Sequence, residues 1–130
     1  MDNARPRENE IFAEFKGSAV MAQYIIYFNQ QWVGDHSSEW FQSRGPLARA
    51  VVSEIKDVGA LVFAGGLVEE IEEAFGFDEH GTSVGPITTD GEFIGGFTIV
   101  EASSDEDAKI WGSKIAVACG WPQEVRKFKG

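Results

Sequence analysis

The sequence predicts a single α+β domain in which two helices cover one face of an antiparallel sheet. Three observations support this prediction: a length of 130 residues, two helix-like segments that each lie between strand-like segments, and strands that are apolar on both sides of the pleat. Hydrophobic residues make up 43% of the chain and charged residues 25%, as in ordinary folded domains. A chain of this length buries enough surface to fold without a disulfide or a metal.

The charge and the apolar runs argue against several classes of protein. The 21 Asp and Glu residues against 11 Lys and Arg residues give a net charge of −10, which a phosphate backbone repels, so no nucleic-acid partner is expected. No apolar run approaches the roughly 20 residues of a membrane span, so we expect no membrane partner. Residues 1–6 are polar, unlike a secretory signal. The single cysteine, Cys119, cannot form an internal disulfide, and we expect a cytoplasmic protein.

Residues 1–20 differ from the rest of the chain and are interpreted as an N-terminal extension of a domain at 21–130. The first half of this segment is charged, and Ile11, Phe12 and Phe15 follow in a short amphipathic pattern. We expect Phe12 and Phe15 to dock the extension on the domain. The alternative is that translation begins at Met21, which opens the first strand.

The first half of the domain reads as strand, polar segment, helix and strand. Residues 24–28 are apolar and aromatic and predict a strand, and a polar segment follows at 29–44. Gly45 and Pro46 predict a helix start, and Gly59 predicts its end. The apolar positions of this helix recur every three or four residues: Leu47, Val51, Ile55 and Val58. Residues 61–64 predict the second strand.

The second half adds two further strands, a helix and a closing strand. The acidic segment 69–79 is interpreted as a solvated hairpin, with Phe75 and Phe77 alternating as in an edge strand. Residues 83–88 predict a third strand, joined through the hairpin dipeptide Asp90-Gly91 to a strand at 97–100. Ser104 predicts the N-cap of the second helix, and Gly120 and Pro122 predict its end. Its apolar stripe is Ala108, Trp111, Ile115 and Ala118, and residues 125–128 alternate as a final strand.

The resulting order, β–α–β–β–β–α–β, is that of a ferredoxin-like, split βαβ domain. Right-handed crossovers place both helices on the same face of the sheet. The other face would then be bare, although residues 25–28, 61–63 and 97–100 are apolar on both sides of the strand. The sequence therefore predicts a homodimer through the helix-free sheet face, a dimeric α+β barrel. The alternative is a monomer in which residues 1–20 and 29–44 cover that face.

Residues 88–102 (TTDGEFIGGFTIVEA) resemble the YCII-related, or DGPF-type, domain family. That family typically has an Asp-Gly-Pro-Phe turn, a Gly-Gly-Phe strand start and a helix that opens with small and acidic residues, as residues 103–108 do here. Residues 59–67 resemble its helix-to-strand segment and 124–126 its closing strand. The resemblance covers about residues 21–128 and implies a ferredoxin-like domain paired into a dimeric α+β barrel.

The family resemblance also bears on activity. Some members are proposed to use a His and an Asp as an acid–base pair, among them a dehydrochlorinase-like enzyme, whereas most have no assigned activity. Ala48 falls at the position of that His, Glu92 replaces the motif's Pro, and Ile94 is the whole spacer between Phe93 and Gly95.

Three residues are candidates for acid–base catalysis. Asp90 and Glu92 would face a cleft between sheet and helices, where burial would raise the pKa of one of them so that it serves as general base. His36 would act at the mouth of an aromatic pocket. Each has a simpler alternative: Asp90-Gly91 forms only a tight turn, and His36 is a solvated loop residue whose aromatic neighbours anchor the loop.

Four aromatic residues are candidates for ligand contacts: Tyr27, Trp32, Trp40 and Phe93. We expect no cofactor, because the glycines near Asp90 lack the Gly-Lys-Ser/Thr ending of a phosphate loop. Two histidines and one cysteine form no zinc-type spacing, so no metal is expected either. The sequence favours a homodimeric module that binds a small molecule. The alternative is a cofactor-independent acid–base enzyme of the lyase, isomerase or dehydrochlorinase type, acting on a small organic acid or aromatic compound.

Overall fold

A computed structural model of the protein describes residues 21–130. It has four strands and two α-helices, numbered here in chain order: β1 Ala22–Asn29, α1 Ser38–Asp57, β2 Leu61–Gly66, β3 Ile94–Ala102, α2 Asp105–Cys119 and β4 Glu124–Lys127. Two short 3-10 helices, Gln30–Trp32 and Ile71–Glu73, lie in the connections. Neither α-helix is long and apolar enough to cross a membrane. The predicted docking of Phe12 and Phe15 lies outside the described residues.

The four strands form one antiparallel sheet in the order β2-β3-β1-β4. Strand β1 pairs along its whole length with β3, and β4 lies on the other side of β1. This is a small α+β structure compatible with the predicted ferredoxin-like fold. The order of elements is β–α–β–β–α–β, with one strand fewer than the sequence predicts.

Both helices pack against the same face of the sheet. Alternate residues of the two central strands, among them Ile26 and Val100, point to this face. These two residues and Ile55 of α1 have no exposed surface. Ala108 and Ile115 of α2 complete the buried cluster. The predicted apolar stripe of α2 is therefore confirmed in its main positions, since Ala108, Ile115 and Ala118 are buried and Trp111 packs at the edge of the cluster.

Helix α1 begins earlier than predicted. Ser37 is its N-cap, with its hydroxyl accepting from the Trp40 amide at 3.1 Å, and Pro46 lies inside the helix. The prediction of a start at Gly45-Pro46 is therefore wrong, although a proline inside a helix normally costs about 3 kcal/mol. Here the extra turns also bring Trp40 and Phe41 against Trp121, whose ring centroids lie 6.2 and 6.3 Å away.

The predicted ends of both helices and the start of α2 are confirmed. Gly59 follows α1 with φ +79° and Gly120 follows α2 with φ +90°, the left-handed conformation that glycine adopts without a steric penalty. The Ser104 hydroxyl accepts from the Asp107 amide at 3.1 Å and caps α2.

The connection between β2 and β3, residues 67–93, contains no strand, so the strand predicted at residues 83–88 is wrong. Both edges of β3 are already paired, with β1 and with β2, so no edge of β3 is free for residues 83–88. The predicted edge strand around Phe75 and Phe77 is also wrong. The segment instead closes on itself through one bridge between Phe77 and Ser83, and the Asp78 side chain accepts from two backbone amides inside the turn.

The face of the sheet opposite the helices is apolar and only partly shielded in the described structure. Ile25 and Tyr27 of β1 and Phe97 and Ile99 of β3 alternate with core residues and are half-buried. Phe63 of β2 lies opposite Ile99 and is 53% exposed. Its ring packs against that of Phe97, with centroids 5.8 Å apart. We call this surface, made of Ile25, Tyr27, Phe63, Phe97 and Ile99, the helix-free face.

Candidate functional site

Two clefts lie near the end of β1, and they differ in chemistry. The larger, about 760 Å³, is lined by polar and acidic groups on the segment after β1 and by the start of α1. Its lining residues are Gln30, Gln31, Val33, Gly34, Asp35, His36, Phe41 and Glu69. The smaller, about 340 Å³, lies between β1 and the chain end and is lined by Ile25, Tyr27, Ile94, Arg126, Lys127, Phe128 and Lys129.

Glu92 is held against the end of β1 by two side-chain donors. Asn29 Nδ2 donates to Glu92 Oε1 at 3.1 Å, and the Trp32 indole donates to Glu92 Oε2 at 3.2 Å. Both contacts fix the orientation of the carboxylate. The structure thus brings together Glu92, an acid–base candidate, and Trp32, a separate ligand-contact candidate, with the Trp32 ring 6.2 Å from that of Tyr27.

Phe93 and the Asp90-Gly91 turn are held by the same segment. The Gln30 amide donates to the Phe93 carbonyl at 2.8 Å, and the Phe93 amide donates to Gln31 Oε1 at 3.1 Å. Gln31 Nε2 donates to the carbonyl of Gly91, which has φ +83°. Asp90 itself is exposed, so the turn accounts for the dipeptide and the burial that a general base there would need is absent.

Tyr27 directs its hydroxyl along the helix-free face to the edge strand. It donates a hydrogen bond to Glu124 Oε1, and this bond, together with burial, raises the pKa of Tyr27, which the nearby Arg126 partly opposes. Tyr27 therefore stays protonated as a donor. Glu124 and Arg126 were not among the sequence candidates, although the alternation of β4 places residues 124 and 126 on one face.

His36 lies in a different aromatic group. Its ring stacks on Trp40 with centroids 3.6 Å apart and meets the edge of Phe41 at 5.7 Å. Its Nε2 lies 3.1 Å from the Val33 carbonyl, to which it donates a hydrogen bond. The Arg44 guanidinium lies 5.0 Å from the Trp40 ring. These contacts are those expected of aromatics that anchor the loop.

The three acid–base candidates do not form one constellation. Within residues 21–130, no hydrogen bond, ion pair or ring contact joins His36 to Asp90 or Glu92. The candidates instead divide into one group on the helix-free side, with Tyr27 and Glu92, and one at the start of α1, with His36 and Trp40. The sequence could not predict this division, because the division depends on how the segment before β3 aligns with β1.

Cys119 and the carboxylates offer no further centre in the described structure. Burial raises the pKa of the Cys119 thiol, which is half-buried and packs against the core, so the thiol is a poor nucleophile. Among residues 21–130, no three His, Cys, Asp or Glu side chains are grouped so that they could hold a metal ion.

Comparison of the sequence with known proteins adds no assignment. No protein-family model matches the chain, and no curated protein is significantly similar to it. Function must therefore be argued from the geometry.

Proposed function

We propose that the protein is a homodimeric small-molecule-binding module whose two sheets pack against each other through their helix-free faces. The observation that carries the dimer is the apolar, incompletely covered helix-free face. Phe63, which lies on this face, is 53% exposed. Contiguous apolar surface of this kind marks an interaction site in folded proteins.

A second copy of the chain suits this face, because both partners then present the same apolar side chains across a two-fold axis. The two sheets would pack about 10 Å apart. The resemblance of residues 88–102 to the YCII-related family supports the same arrangement, a dimeric α+β barrel. Of the alternative cover, residues 1–20 lie outside the described residues, and the segment 29–44 contributes Trp32 at one end of the face.

Small-molecule binding is supported by the two clefts beside β1, whose linings include aromatic rings and hydrogen-bonding groups. We place the enzyme alternative second, because Asp90 is exposed and His36 lies in a separate aromatic group. A ligand-binding module requires no such acid–base constellation.

The dimer is tested by light scattering and sedimentation of the full chain at micromolar concentration. We expect the wild-type protein to have the mass of a dimer. Phe63→Asp places a charge in the apolar contact, where its desolvation is unfavourable, and should weaken the dimer at least tenfold.

The matched control is Val117→Asp, which adds the same charge on α2 at a side chain that is 73% exposed and outside the helix-free face. It should leave the mass unchanged, and circular dichroism should show that both variants are folded. A wild-type protein that is monomeric throughout this range, or a Val117→Asp variant that dissociates as readily as Phe63→Asp, would contradict the proposed dimer.

A further inference from the structure

The smaller cleft has an apolar floor and a cationic rim. Ile25 and Tyr27 of β1, Ile94 at the start of β3 and Phe128 after β4 supply the apolar surface. Arg126 lies opposite Ile25 in the strand pairing, on the helix-free side of the edge strand. With a volume of about 340 Å³, the cleft is at the small end of the range for ligand sites. It suits a ligand with one ring or a short apolar chain.

The rim carries positive charge in a strongly acidic protein. Three of the 11 Lys and Arg residues lie within positions 126–129, whereas residues 67–93 hold eight of the 21 Asp and Glu residues and no Lys or Arg. Positive charge concentrated at one cleft attracts anions to it, and the acidic remainder of the surface repels them.

Two of these cations are available to a ligand. Lys127 is turned to the helix side, where its Nζ lies 3.9 Å from Asp105 Oδ1. Within residues 21–130, no ion pair involves Arg126 or Lys129, and both are exposed. The Glu124 carboxylate, on the same face as Arg126, already accepts the Tyr27 hydroxyl hydrogen.

The larger cleft has the opposite character. Asp35 and Glu69 line it, and their charges would repel an organic anion. The two clefts therefore differ in the charge of the ligand they can accept. Of the two, the smaller one combines apolar contact with cations that form no ion pair among residues 21–130.

We infer that the cleft between β1 and the chain end binds a small organic monocarboxylate. The cleft lies at the β4 edge of the helix-free face, whereas Phe63 lies at the β2 edge, so a dimer contact around Phe63 leaves the mouth of the cleft open. Arg126 and Lys129 hold the carboxylate, since a guanidinium matches carboxylate geometry with two parallel hydrogen bonds. Ile25, Ile94 and Phe128 pack against the apolar body. This inference rests on the proposed function as a small-molecule-binding module and names its ligand class and site.

The test compares benzoate with benzamide, a neutral molecule of nearly the same shape, by isothermal titration calorimetry on the full chain. We expect benzoate to bind at least tenfold more tightly, and its affinity to fall as NaCl screens the cationic rim. The double variant Arg126→Gln with Lys129→Gln should lose at least tenfold in benzoate affinity. The control pair, Lys56→Gln with Lys109→Gln, removes the same charge from the helices and should change affinity less than twofold.

Amide shifts in nuclear magnetic resonance spectra locate the bound benzoate. Changes at Tyr27 and Phe128 support the inference, and changes confined to Asp35 and His36 overturn it. Equal binding of benzoate and benzamide, or benzoate affinity that survives loss of Arg126 and Lys129, also overturns it while leaving a small-molecule-binding module in place. If neither probe binds the wild-type protein, the monocarboxylate site is refuted, whereas the dimer is decided separately by the mass measurement.

Discussion

Tyr24 joins the first strand to the second helix through one hydrogen bond at the edge of the core. Its hydroxyl donates to Asp105 Oδ1 at 2.5 Å, and the side chain is 3% exposed. The bond to Asp105, with burial, raises the pKa of Tyr24 to about 12. The same bond, together with Lys127, lowers the pKa of Asp105. The pair is therefore most stabilising while Tyr24 is neutral and Asp105 is charged.

This pair predicts a pH-dependent difference between the wild type and Tyr24→Phe. Because the pKa of Tyr24 is raised, the free energy of unfolding falls as the pH rises from 10, the pKa of tyrosine in the unfolded chain, toward about 12. A lowered Asp105 pKa means that stability also falls as the pH drops below 3.8 through the folded value. The free energy of unfolding should drop by about 1–2 kcal/mol in Tyr24→Phe near neutral pH.

Urea unfolding across the pH range measures this difference, which should narrow at both extremes because the hydrogen bond is lost in the wild type too. Tyr27→Phe is a comparison on the opposite face, where Tyr27 is only half-buried. A difference between wild type and Tyr24→Phe that stays constant from acid to alkaline pH would contradict the assignment. The sequence predicted a strand at Tyr24 and a helix start near Asp105, but not their contact, which spans 81 positions.

At the scale of elements, the start of α1 shows how tertiary contacts override a local rule. Gly45-Pro46 is a sound helix-start pattern, yet Ser37 caps the helix two turns earlier. The end at Gly59 was predictable because it depends on local conformation. The predicted apolar stripe is confirmed only at Val51 and Ile55, since Leu47 and Val58 are 49% and 65% exposed. The true start was not predictable, because Trp40 and Phe41 are stabilised by Trp121, which follows α2.

The early start predicts that Ser37→Ala lowers the free energy of unfolding by about 1 kcal/mol, the usual value of an N-cap side chain. Ser38→Ala, one position inside the helix, is the matched control and should have little effect, since the hydrogen bond to the Trp40 amide comes from Ser37. Chemical denaturation measures both. If the two substitutions are equivalent, the helix does not begin at Ser38 in solution.

Gly95, near the start of β3, lies where there is no room for a side chain. A Cβ added to Gly95 would lie 2.6 Å from the Phe28 ring, and Phe28 in turn packs near Trp121 with ring centroids 5.1 Å apart. Gly95→Ala should therefore destabilise the protein by about 1–3 kcal/mol, as overpacking usually does.

The control for this prediction is Gly66→Ala in the neighbouring strand, where the nearest atom to an added Cβ is 3.8 Å away. It should change the thermal midpoint much less than Gly95→Ala does. Equal shifts for the two variants would show that strand propensity, and not the contact with Phe28, decides the effect.

For the whole molecule, the proposed dimer predicts a concentration-dependent thermal midpoint. Association of folded chains stabilises them by mass action, so the wild-type midpoint should rise with protein concentration in differential scanning fluorimetry. The Phe63→Asp variant should have a lower midpoint that does not depend on concentration, whereas Val117→Asp should behave as the wild type. A wild-type midpoint that is independent of concentration would argue against the association.

Local periodicity and residues close in the chain were enough to predict the α+β class, all four strands of the sheet, the two helices and the capping of α2. The sequence also indicated that the sheet is apolar on both faces. The tertiary structure alone decided that residues 83–88 form no strand, since β2 takes the place beside β3. It also separated His36 from Glu92 and brought Tyr27 to Glu124. Such contacts depend on strand order and register, which are set by the packing of segments distant in the chain.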